Sequence, residues 1–152
     1  MIFVTVGTSS FDSLIEHIDQ LVRDGVINDD VVCQIGAGSY LPKHCDFFTY
    51  TKDLDSYFKK ADLIVSHGGT GTVLELLSSG KKFIVVANTS LADNHQVEFL
   101  SGLSDLYPLK WTDNMGDLKE IIQSPINNLK LSTERENLGV YIKNYILDCP
   151  VN

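Results

Sequence analysis

The residues best suited to chemistry fall in three short segments. Ser66-His67-Gly68-Gly69-Thr70-Gly71-Thr72 places three glycines in four positions, ahead of a helical pattern that carries Glu75. Glycine allows close backbone approach to a ligand at an entropic cost, so a bare connector rarely uses three. A helix that starts after such a turn exposes unbonded N–H groups and the positive end of its dipole, which can hold a phosphate without basic side chains. His67 adds a hydrogen-bond donor or a charge beside it. Glu75, one turn into the helix, has the reach for sugar hydroxyls. Gly7-Thr8-Ser9-Ser10 is a second small, hydroxyl-rich turn at a helix start, with Ser10 also placed as an N-cap. Asp93-Asn94-His95-Gln96 closes a polar loop that opens at Asn88, and its donors and acceptors suit a polyhydroxylated ligand. Asp93 or Asn94 is equally placed to cap the next helix. Asp53-Leu54-Asp55 has the form of a metal-binding DxD but precedes a helical pattern and reads as capping.

Elements must bring these segments together. Apolar runs at 2–6, 31–35, 47–50, 63–66 and 83–87 predict strands buried on both faces, as in a parallel sheet. A sixth at 106–111 contains Pro108, which places it at an edge. Amphipathic patterns predict helices over 11–23, 56–61, 72–79, 94–101 and 116–123. A last one runs over about 133–147, where Leu138, Tyr141, Ile142, Tyr145 and Ile146 form an apolar stripe. Strand–helix alternation throughout predicts one α/β domain over 1–152, a right-handed doubly wound parallel sheet of about six strands. Ligands of such sheets sit beyond the carboxyl ends of the strands, where all three segments fall.

Composition narrows the classes. The 152 residues carry 12 Lys+Arg against 20 Asp+Glu, and a net charge of −8 argues against a nucleic-acid-binding surface. Cys33, Cys45 and Cys149 are an odd number without metal-ligand spacing, which disfavours zinc or a disulfide framework and fits a reducing compartment. No apolar run approaches the ~18 residues of a membrane span. The first residues lack the basic segment of a signal peptide. A cytoplasmic protein without direct membrane insertion is expected.

On Phe3-Val4-Thr5-Val6-Gly7-Thr8, Ser66–Thr72 with Glu75, and Asp93-Asn94-His95-Gln96, in that order and spacing, the chain resembles the nucleotide-sugar-binding, C-terminal half of metal-independent GT-B glycosyltransferases. The likeness is to the MurG-like family 28, in its branch where the two halves are separate chains. The resemblance implies a Rossmann-like fold and an inverting hexosyl transfer from a UDP-sugar, with no metal and no further cofactor. It implies that His67, Gly68, Gly69, Thr70, Gly71 and Thr72 hold the diphosphate, helped by Gly7, Thr8, Ser9 and Ser10. Glu75 would take the ribose hydroxyls, and Gln96, with Asp93, Asn94 and His95, the transferred sugar. A membrane-anchored partner subunit would bind a lipid-linked saccharide acceptor, supply the general base and hold this chain at the membrane. Galactose for a capsule or exopolysaccharide is the favoured sugar, N-acetylglucosamine the next.

Two other classes compete. A non-catalytic accessory subunit would enhance a partner transferase with the same loops weakly occupied. A Rossmann oxidoreductase is disfavoured, because the first turn lacks GxGxxG and Ile35-Gly36-Ala37-Gly38 stands where an acidic residue should end the second strand. That Gly-x-Gly reads as a loop. The C-terminal stripe serves either to dock the partner or to pack on this chain's own sheet.

Overall fold

A computed structural model of the chain describes residues 1–91, 94–127 and 135–148, without the side chains of 135–138 and 146–148. Its strands are β1 (Ile2–Thr5), β2 (Val31–Gln34), β3 (Asp46–Phe48), β4 (Leu63–His67), β5 (Phe83–Val86) and β6 (Trp111–Thr112). They pair in parallel in the order β3-β2-β1-β4-β5-β6. The helices are α1 (Asp12–Arg23), α2 (Leu54–Lys60), α3 (Thr70–Ser79), α4 (His95–Ser104), α5 (Leu118–Gln123) and α6 (Arg135–Asp148). A 3-10 turn at Met115–Asp117 leads into α5, so the 116–123 pattern is one short turn followed by one short helix. The expected doubly wound α/β fold is present.

Alternation along β1 builds two cores, one on each face of the sheet. Val4 points with Cys33, Val65 and Ile84 toward Leu14, Ile15 and Ile18 of α1. Phe3 points the other way, among Ile64, Val73, Leu76 and Phe99. Phe3 is fully buried and packs its ring against Phe48, Tyr57 and Phe58 at centroid distances of 6.2, 5.4 and 5.6 Å. The central strands β1, β4 and β5, covered on both faces, read as mostly apolar runs and so were legible, whereas the edge strand β3 carries Asp46 and is largely exposed. The weak sixth strand is two residues at the far edge. It begins after Pro108, which has no N–H to give to a ladder.

The C-terminal stripe packs inward. Tyr141, Ile142 and Tyr145 join the α3–α4 core. The Tyr141 hydroxyl donates to the Phe99 carbonyl at 2.8 Å and the Tyr145 hydroxyl to the His95 carbonyl at 3.1 Å, stapling α6 along α4. At these positions the stripe is occupied by the chain's own core rather than left free to dock a partner. The side chains of Leu138 and Ile146 lie outside the described residues.

The connection from β2 back to β3 hangs on one carboxylate. Asp19, on α1 and 2% exposed, accepts from the backbone N–H of Lys43 and His44 and from the Tyr40 hydroxyl at 2.9 Å. Burial pushes its carboxyl up, but these donors and the His44 ring outweigh that and hold it at about 2. Asp19→Ala is expected to cost about 3 kcal/mol in urea denaturation, since it removes several part-buried hydrogen bonds to a charged group. The free carboxyl titrates at 3.8 and the folded one near 2. The stabilisation is therefore complete above pH 3.8 and lost as pH falls through about 2, which acid titration of wild type against Asp19→Ala would show.

Candidate functional site

β1 and β4 lie side by side with Thr5 opposite Ser66, yet α1 packs on one face of the sheet and α3 on the other. The chain thus leaves adjacent strand ends in opposite directions, and a crevice opens between the two turns. The candidate residues line it from both sides.

On the β4 side, α3 begins at Thr70 with Gly69 as N-cap, in extended conformation and without a side-chain cap bond. The first bond of the helix runs from the Val73 N–H to the Gly69 carbonyl, so the helix offers no acceptor to the N–H groups of Thr70, Gly71 and Thr72. His67, the last residue of β4, lies between this turn and the first one. A Cβ on Gly7 would fall 3.1 Å from its Cε1, and one on Gly69 would collide with its Nε2. Both positions are glycine because the imidazole occupies the space. Its Nδ1 is buried without a hydrogen-bond partner among the described residues. Burial holds the ring below its usual pKa, and the nearby Thr5 backbone, which favours the charged form, does not offset this.

On the β1 side, Gly7 sits in the left-handed region at φ +64°, its N–H given to the Thr5 hydroxyl at 3.1 Å. The Ser9 hydroxyl donates to the Val6 carbonyl at 2.8 Å and shapes the turn rather than facing outward. Thr8, Ser9 and Ser10 are exposed. The N-cap position of α1 is Phe11, with no side-chain cap bond, so Ser10 does not cap. The helix begins one residue later than that role requires, and the Ser10 carbonyl accepts from Asn88 Nδ2 at 3.4 Å.

The loop after β2, expected as a plain connector, braces this turn. Gly36 at φ +55° is in contact with it: a Cβ there would meet the carbonyl oxygens of Ser9 and Gly7. The Ala37 N–H donates to the Ser9 carbonyl at 3.1 Å, and Asp12 accepts from the Ser39 N–H at 2.9 Å. Gly36 and Asp12 were not among the sequence candidates. The Gly-x-Gly pattern was the available signal.

Glu75 is exposed on α3. It follows Gly71 by four residues and Thr72 by three, so it shares their face, and helical side chains lean toward the N-terminus. Nothing lies within 4 Å of where a Gly71 Cβ would stand, which leaves the path toward the helix start open. The same residue lines a cleft of about 300 Å³ with Asp55, Phe58, Lys59 and Ser78.

In the third segment Gln96 is half-buried, with its Oε1 accepting from the Asn88 N–H at 2.8 Å and lying against Gly68. His95 begins α4 and its Nδ1 stands 4.0 Å from a Glu98 oxygen. Asn94 is exposed at the N-cap position but makes no side-chain cap bond. Asp93 lies outside the described residues. Asp53 likewise holds the N-cap position of α2 without a side-chain cap bond, because its own N–H is turned toward the Thr51 hydroxyl at 3.1 Å. Among the described residues no three His, Cys, Asp or Glu side chains converge as metal ligands. A second cavity, of about 430 Å³, opens at the amino ends of β2 and β3 around Asp29, Asp30 and Cys45 and includes none of the candidates.

A 3-2-1-4-5-6 parallel sheet with a glycine-rich, uncapped helix start at its crossover defines a Rossmann-like nucleotide-binding class of domain. The profile of the glycosyltransferase family 28 C-terminal domain matches residues 1–137, and the chain belongs to that family. It is 38% identical over 113 residues to the human UDP-N-acetylglucosamine transferase subunit ALG13, covering 67% of this chain and 10% of that one. The chain thus spans about a tenth of that relative's length. Two solved structures share the fold. An NMR solution structure of ALG13 superposes with a TM-score of 0.59 at 19% identity, over 95% of this chain and 96% of the other. MurG from Acinetobacter baumannii does so with 0.62 at 18%, over 80% and 40%.

The free chain should show the His67 imidazole titrating below 6.5, followed through its Cε1 proton by NMR, and so neutral at pH 7. A midpoint above 6.5 would mean that the ring is not desolvated between the two glycine turns.

Proposed function

We propose that this chain is the donor-binding catalytic subunit of a two-component UDP-sugar glycosyltransferase. The observation that carries the reading is the uncapped start of α3 with the His67 ring beside it, its Nε2 against Gly69. The N–H groups of Thr70, Gly71 and Thr72 hold the diphosphate, with the Gly7–Ser10 turn on the opposite side of the crevice. Glu75 takes the ribose hydroxyls, and Asn94, His95 and Gln96, with Asp93, face the transferred sugar.

The chemistry needs what this arrangement offers. As the acceptor oxygen bonds to the anomeric carbon, the bond from that carbon to the diphosphate oxygen breaks and charge grows on the departing UDP. Fixed N–H groups and a helix dipole stabilise that charge without reorganising and without a metal ion. Attack opposite the leaving group inverts the anomeric centre. The base that takes the acceptor's proton belongs to a membrane-associated partner that binds a lipid-linked saccharide and keeps this chain peripheral to the membrane. Among the described residues no helix is long and apolar enough to cross a membrane, which supports attachment through another chain.

The sugar moves from galactose to N-acetylglucosamine as first choice, and the capsule setting is dropped. The 38% identical human relative is named a UDP-N-acetylglucosamine transferase subunit, which supports this donor.

Calorimetric titration without added metal, using UDP, UDP-N-acetylglucosamine, UDP-galactose and NAD, tests the reading. UDP and UDP-N-acetylglucosamine are expected to bind and NAD not. A folded chain that binds no uridine nucleotide overturns it. Glu75→Ala should weaken UDP binding about 10- to 100-fold through loss of a charge-assisted hydrogen bond. Because His67 sits below its usual pKa when the site is empty, a bound diphosphate should draw a proton onto it. UDP-sugar affinity is then expected to rise as pH is lowered from 8 toward 6, and in His67→Gln this rise should vanish.

A further inference from the structure

Asn88 lies two residues past the end of β5 and is 6% exposed, although its type favours the surface. Its polar groups are engaged on three sides. Its Oδ1 accepts from the Ser90 N–H at 3.1 Å and from the Ser90 hydroxyl at 2.6 Å. Since a backbone N–H can only donate, that contact fixes which end of the amide is oxygen and turns Nδ2 toward Ser10. Nδ2 donates to the Ser10 carbonyl, a long bond of 3.4 Å across 78 residues of sequence. The backbone N–H of Asn88 donates to Gln96 Oε1, the same oxygen that lies against Gly68.

All three loops of the crevice therefore meet at this one residue. Ser10 belongs to the turn after β1, Gly68 to the turn after β4, and Ser90 and Gln96 flank the segment between β5 and α4. The Asn88 side chain hydrogen-bonds both the first turn, at the Ser10 carbonyl, and the third loop, at Ser90. From this geometry we propose that Asn88 is a positioning residue that locks the sugar-facing loop to the diphosphate-holding turn. Discrimination between donor sugars then depends on a side chain that holds the loops in register. The proposal rests on the donor-site reading given above. Its ligand-free part, the tie between the loops, stands apart from it.

Asn88→Asp is the sharpest probe. It keeps the shape and the oxygen that Ser90 binds, but it replaces the Nδ2 donor by a carboxylate oxygen facing the Ser10 carbonyl, which turns attraction into repulsion. Hydrogen exchange reads the tie without ligand. The Ala37 N–H, bonded to the Ser9 carbonyl in the same turn, should exchange about tenfold faster in the variant. The Val85 N–H, bonded to the Lys110 carbonyl in the core, should exchange as in wild type and so report that the fold is intact. Calorimetry reads the consequence. The preference between UDP-N-acetylglucosamine and UDP-galactose should fall about tenfold while UDP itself changes less than about threefold, the scale of one lost hydrogen bond. Asn88→Ala, which buries no charge, should move both readouts in the same direction by a smaller factor.

Wild-type exchange at Ala37 in both variants would show that no tie exists and overturn the proposal. Equal losses for UDP and both UDP-sugars would overturn it in favour of a general support of the site. If wild type binds no uridine nucleotide, the donor-site reading fails and the coupling falls with it, while the exchange result still decides the tie.

Discussion

The parallel pairing of β1 with β4 is the constraint on which the site depends. Its register puts Thr5 opposite Ser66, so the two turns begin level with each other at the same rim of the sheet. The helices that follow must bury their apolar faces, and the two faces of the sheet are the places available. Because α1 takes one and α3 the other, the turns diverge and leave a crevice that neither strand pair alone would make. Everything attributed to the site, from the unbonded N–H groups of α3 to the tie at Asn88, is arranged around that divergence.

Packing explains the glycines of the crevice more directly than flexibility does. Gly7 and Gly69 make room for the His67 ring, Gly68 for the Gln96 side chain, and Gly36 for the carbonyls of the first turn. Each contact brings a backbone close to something polar. The turns are therefore held by their neighbours rather than left loose, although glycine by itself is the least ordered of residues. A preorganised cradle of this kind does not have to reorient as charge develops on a bound phosphate.

Electrostatics at the crevice is local rather than global. With an overall charge of −8, the chain has no general attraction for phosphates. A helix start can attract an anion locally, and His67, wedged between the turns, is held below its usual pKa by burial. Its Nδ1 is buried without a hydrogen-bond partner among the described residues. Among the described residues the buried carboxylate is Asp19, on the α1 face, where donors from Lys43, His44 and Tyr40 satisfy it and order the return from β2 to β3.

Fold class and the central strands were legible in the residues because strands covered on both faces are mostly apolar, as β1, β4 and β5 are, whereas the sixth strand meets the expected 106–111 only at Trp111. The glycine-rich segment before Glu75 was legible for a related reason, since a stretch that dense in glycine declares a close backbone approach. Capping was not legible. Ser10, Asp53 and Asn94 all have the right type, yet none makes a side-chain cap bond, because the direction in which each turn enters its helix decides what the side chain can reach. Nor could the alternation along 138–146 say what its apolar stripe would meet. Only the placement of α4 beside α6 shows Tyr141 and Tyr145 bonded to its carbonyls. The bracing by Gly36 and the junction at Asn88 join residues 27 to 78 positions apart in sequence, as Asp12 with Ser39 and Ser10 with Asn88 do. Sequence by itself determined which segments are strands, helices and glycine turns, since those follow from local periodicity and steric freedom. Tertiary structure alone decided which turns touch, because contact between distant segments is set by strand order and by the face each helix covers.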